Sequence, residues 1–177
     1  MLLNKIKPLF IPYVLILIAF IDTAYEVVIK IFEIRDYRGI NFSDKLFLST
    51  LGRSGIFKAF IIILLPTMAV LIRRKISWFI ILAYFYFVIW NIFGLSVLDL
   101  RYNDDFHISD LVLKFVFLVI MLILIYIMNG SHSYEKVYKL EIQKRNLFNL
   151  LALICGFVLS FILMVRKNNQ YIDMLQF

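Results

Sequence analysis

The sequence predicts an all-α integral membrane protein: a polytopic bundle of five transmembrane helices forming a single domain over residues 1–177. Three observations point there. Hydrophobic residues make up 63% of the chain and mean hydropathy is +0.89, against about 45–50% apolar residues in soluble domains. The apolar excess falls in blocks of about 20 residues, the length a helix needs to cross about 30 Å of hydrocarbon. Between the blocks, Lys and Arg gather on alternate connections, the pattern that orients membrane proteins. Spans and connections together use the chain, leaving no stretch of about 100 residues for a soluble domain.

The first span is expected at residues 9–29, "LFIPYVLILIAFIDTAYEVVI". Lys5 and Lys7 precede it, as in a signal peptide, but Asp22 stands where small residues should lead to cleavage, so the segment is expected to be retained. Its second half carries Asp22, Glu26 and Lys30 at four-residue steps. On a helix such a ladder drifts by about 40° per step and covers about 12 Å of axis. One reading makes it a charged continuation into water through Glu33 and Arg35, with Glu26 and Lys30 in the favourable order for a pair four residues apart. The other turns it into the bundle, where ionisable groups mark an ion or proton path. The first is the expectation here. If the segment does not cross, four spans remain and the first segment lies in the membrane interface.

After it, residues 43–53 are expected to form an interfacial amphipathic helix. Ser43 supplies a cap, Phe42 a hydrophobic staple, and Leu46, Phe47 and Leu51 an apolar face for the headgroup region. The second span is expected at residues 55–72, with Lys58 near enough to its start to snorkel outward and Pro66–Thr67 kinking it. The third, residues 78–98, carries Asn91 near its middle beside Tyr84, Tyr86 and Trp90; an amide at that depth suits a hydrogen bond to another helix. The fourth, residues 111–128, is led by Ser109 and Asp110 as caps. The fifth, residues 147–165, repeats small residues every four positions at Ala152, Gly156 and Ser160, a helix-packing face within the bundle or between copies of the chain. That face is the basis for expecting a homo-oligomer. Short connections make consecutive helices antiparallel.

Orientation follows the basic connections. Arg73, Arg74 and Lys75 lie in one, and Lys136, Lys139, Lys144 and Arg145 in another, both on the side of Lys5 and Lys7. The connection holding Asp99, Asp104, Asp105 and Asp110 against Arg101 suits the outside. The N-terminus is therefore expected in the cytoplasm. Arg35, Arg38, Lys45 and Arg53, with Arg166 and Lys167, pull the other way. The net charge of +7 is spread over these connections, which suits anionic membrane lipid and not nucleic acid.

Catalytic chemistry is not visible. The one cysteine, Cys155, sits in the apolar fifth span, which excludes an internal disulfide. His107 with Asp104, Asp105 and Asp110 is the one grouping with metal-ligand character, and loop solvation with capping of the fourth span is the expected reading of it. His132 falls in a turn sequence. With no phosphate loop, nucleophile elbow or H-E-x-x-H pattern, neither catalytic residues, a metal nor a cofactor is expected. The expected function is that of a small multi-span protein of a bacterial inner membrane, acting non-enzymatically through a protein partner. Immunity proteins and membrane accessories of antiphage defence are comparable in size and span number. The alternative is a channel or transporter subunit, with Asp22, Glu26 and Lys30 along a path and Asn91 opposite.

Overall fold

The structure is a computed structural model that describes residues 9–38, 55–72, 74–102, 108–130 and 132–175. The interfacial helix expected at residues 43–53 lies outside them, as do Asp104, Asp105 and His107. The described residues form helices α1 (Phe10–Arg38), α2 (Gly55–Ile72), α3 (Lys75–Tyr102), α4 (Ile108–Met128) and α5 (Ile142–Leu175), with a π-helical segment, His132–Val137, between α4 and α5. No strand occurs among the described residues. The helices pack as two compact units, α1 with α2 and α3 with α4 and α5.

Three of the helices are long and apolar enough to cross a membrane: α3 over Lys75–Gly94, α4 over Asp110–Met128 and α5 over Ile142–Val165. The other two helices expected to cross fall outside this set. In α2 the apolar stretch, Lys58–Ile72, is shorter than 18 residues. In α1 the charge-free run ahead of Asp22 rises only about 18 Å, well short of about 30 Å of hydrocarbon.

Within the first unit, α1 and α2 meet through the Phe20 and Phe60 rings, 5.5 Å apart. Proline has no N–H to donate, yet α2 runs on through Pro66. The adjacent Thr67 hydroxyl is buried and donates to Ile63 O at 2.8 Å, so this hydroxyl is satisfied within the helix.

The second unit is organised on α3. Some 39% of its spanning stretch is buried, against 17% in α4 and in α5, which places α3 at the centre. Along the α3–α5 seam the Phe79 ring meets Phe148 edge-on, the Tyr86 hydroxyl donates to Asn149 Oδ1 at 2.8 Å, and Trp90 meets Phe157 edge-on at 5.0 Å. Higher numbers on one helix meet higher numbers on the other, so α3 and α5 run parallel and α4 returns the chain between them. The most extensive packing therefore joins parallel helices that are not consecutive. Much of the remaining surface of α4 is apolar and exposed, including Leu113, Phe115, Leu122 and Ile123. Water would penalise such a face; lipid tails do not.

Candidate functional site

The basic end of the second unit, where α3 begins, α4 ends and α5 begins, is the most elaborately built polar region among the described residues. Its α3 edge is fixed by a reciprocal cap. Ser77 N and Trp78 N donate to Arg74 O, while Arg74 N donates to Ser77 Oγ at 3.0 Å. One residue on, the Trp78 side chain is fully buried and its indole N–H donates to Met128 O at 2.9 Å, tying the start of α3 to the last carbonyls of α4. Met128 O has no donor within α4 itself.

His132, read in the sequence as part of a turn, falls in an α4–α5 connection that is folded against the helix ends. Ser133 Oγ donates to Ile127 O at 2.8 Å and Ser133 N to Gly130 O at 2.9 Å. Tyr138 N reaches Ser133 O, the five-residue spacing of a π turn. Ser133, Tyr138 and Leu140 are buried, and Lys139 between the last two is exposed. Lys139 itself lies in the left-handed region at φ 52°. The first turn of α5 then closes on Glu141 O, which accepts from Lys144 N and Arg145 N.

The charge at this end follows. Arg74, Lys75, Lys136, Lys139, Lys144 and Arg145 face two carboxylates, Glu135 and Glu141. Glu141 is engaged: its carboxylate lies 2.9 Å from Lys144 Nζ. The Lys144 hydrogen bond, the charge of Lys144 and that of Lys75 hold its carboxyl below the usual glutamate range. An open cleft separates the α3 edge from the connection, lined by Arg74, Lys75, Ile76, Val137, Tyr138 and Lys139. A second hollow, lined by Tyr126, Asn129, Arg145, Asn146 and Asn149, lies between α4 and α5. Among the described residues the lining of the first cleft includes three cations and no carboxylate. Neither hollow pairs a nucleophile with a base, and no group of three His, Cys, Asp or Glu side chains converges as a metal site among the described residues.

The chain matches no family model, no curated protein and no solved structure.

The residues singled out in the sequence fall elsewhere. Asp22 and Glu26 are exposed on α1. Lys30 pairs forward with Glu33, Nζ to Oε2 2.7 Å, in place of the expected pair with Glu26; a step of three closes as readily as a step of four on a helix. Asn91 is in α3, in the other unit, and its amide donates to Phe87 O of its own helix at 2.9 Å. That donor is used within the helix, not across to another one. Ala152, Gly156 and Ser160 are all buried. A Cβ on Gly156 would stand 2.7 Å from Phe87 N, 2.8 Å from Tyr86 Cβ and 2.9 Å from Ala83 O, so Gly156 of this small-residue face seats directly against α3 of the same chain. Cys155 is partly buried in α5. Sequence reasoning found the basic connections but not the cleft, because nothing in the spacing brings Lys139 to Arg74 and Lys75. The available signal was "VYKL": Val137, Tyr138 and Leu140 are too apolar for a loop that only turns in water.

Proposed function

We propose that the protein is a multi-span membrane protein that acts without catalysis, by holding a protein partner at the basic end of its α3–α4–α5 unit. One observation carries the reading. The α4–α5 connection is a folded platform, with Ser133, Tyr138 and Leu140 buried beneath a display of Lys136, Lys144 and Arg145. A connection serving only to join two helices needs no such core. The reading includes five crossings with a cytoplasmic N-terminus, in which the short apolar runs of α1 and α2 cross a locally thinned bilayer with Asp22 and Lys58 reaching the headgroup level. It is supported by the three long apolar helices, the apolar character of α1 and α2, and the basic charge of Arg74–Lys75 and Lys136–Arg145. A bacterial inner membrane and a role as an immunity or defence accessory rest on the analogy of size and span number. The channel alternative needs Asp22 or Glu26 enclosed, and the exposure of both favours the partner reading.

Two measurements on the full-length protein test it. Reconstituted in liposomes, the wild type and the Asp22→Asn, Glu26→Gln variant should show the same absence of ion or proton flux. A photo-crosslinker at Lys136 in native membranes should trap one partner, with the crosslink lost on Arg145→Glu and kept on Asp22→Asn. Flux that changes with Asp22 or Glu26 would replace this reading with the channel.

A further inference from the structure

We infer that the cleft between the start of α3 and the α4–α5 connection binds the phosphate of an anionic phospholipid headgroup. Arg74, Lys75 and Lys139 line it, and among the described residues no carboxylate does. The nearby carboxylate of Glu141 is paired with Lys144 and also acts on Lys75, so three cleft cations stand against one carboxylate that Lys144 already engages. Both walls are held in place without a ligand. The reciprocal bonds of Arg74 and Ser77 fix one. Burial of Tyr138 and Leu140 on either side of Lys139 fixes the other. Guanidinium and ammonium groups presented from a rigid frame offer a phosphate charge-assisted hydrogen bonds at little cost in ordering.

The position of the cleft selects a lipid as the source of the phosphate. The membrane-crossing stretch of α3 starts at Lys75, so the cations stand at the level where the hydrocarbon begins. Ile76, in the same lining, is 57% exposed. A free phosphate has no use for that apolar surface, whereas an acyl chain descending from a bound headgroup covers it. The inference rests on the membrane placement of α3 and is independent of the protein partner proposed above, whose contacts are the outward Lys136 and Arg145.

The test is native mass spectrometry of the full-length protein from an equimolar mixture of phosphatidylglycerol and phosphatidylcholine. Wild type should retain phosphatidylglycerol preferentially. An Arg74→Gln, Lys139→Asn variant should weaken that retention about five-fold per cation removed, because Asn accepts the left-handed backbone at position 139. A Lys136→Gln, Arg145→Gln variant, with the same charge removed outside the cleft, should keep the wild-type preference. Circular dichroism checks the fold of each; if the cleft double variant unfolds, Lys139→Asn alone is read in the same way. Equal loss in the two double variants would overturn the site in favour of diffuse attraction, as would absence of any headgroup preference in wild type. Excess inorganic phosphate should leave the bound lipid in place; displacement by it would overturn the lipid assignment for a soluble phosphate ligand.

Discussion

Lys139 occupies a backbone region that costs a residue with a side chain about 1–2 kcal/mol. Glycine avoids that cost but loses about 0.5–1 kcal/mol in chain entropy. Lys139→Gly should therefore raise thermal stability in detergent slightly, by less than about 1 kcal/mol, while the β-branched Lys139→Val should lower it. The two tryptophans give a sharper contrast. Trp78 Nε1 donates to Met128 O in a buried setting, and Trp78→Phe should cost about 1–3 kcal/mol by stranding that carbonyl. Trp90 Nε1 is buried with no hydrogen-bond partner among the described residues, so Trp90→Phe removes no hydrogen bond to them and should cost distinctly less by the same measurement. Glu141 is the residue whose charge state reports on the basic end. Its pKa is lowered on folding by Lys144 and Lys75, so its contribution to stability is present above the ordinary glutamate value and fades as pH falls through the lowered folded value. Carboxyl NMR titration should find Glu141 below the usual range, and Lys144→Gln should move it back up.

At the scale of elements, the decisive feature is how closely α5 approaches α3. The atoms nearest a Cβ added at Gly156 include backbone Phe87 N and Ala83 O, which cannot swing aside. Gly156→Leu should prise the helices apart, costing at least about 1–3 kcal/mol, seen as a lower melting temperature and lost protection from hydrogen exchange in α3. Tyr86→Phe, which removes only the hydroxyl bonded to Asn149, should cost about 0.6 kcal/mol, the average for such bonds in a membrane bundle. The steps of four at Ala152, Gly156 and Ser160 were visible in the sequence as a packing face, because small residues on one stripe let two helix backbones approach closely. Which helix they meet was not visible, since small residues admit any close neighbour. Asn91 was legible as a polar group at depth, but not as one whose amide turns back to Phe87 O; an amide that can reach its own helix needs no second one. The same economy holds for Thr23, Thr67 and Ser96, each donating to the carbonyl four residues back.

For the whole molecule, the all-helical character and the apolar blocks could be read from the sequence directly, because an apolar block of that length satisfies its backbone in lipid only by coiling into a helix. The number of crossings could not, because α1 mixes an apolar first half with Asp22, Glu26 and Lys30 in the second. A labelling experiment addresses orientation. With Cys155→Ala removing the one native thiol, Asp110→Cys and Lys139→Cys should react with an impermeant maleimide from opposite sides of sealed vesicles, because α4 runs from Asp110 to Met128 as a span. Labelling of both from one side would remove α4 as a crossing. The parallel seating of α5 on α3 also sets an order of assembly. During synthesis α3 is made before residues 148–164, so its surface at Ala83, Tyr86 and Phe87 exists before the Gly156 that seats on it. Within the α3–α4–α5 unit α5 is thus the helix that closes the fold, and a chain cut after Met128 keeps a central helix that still lacks its main neighbour.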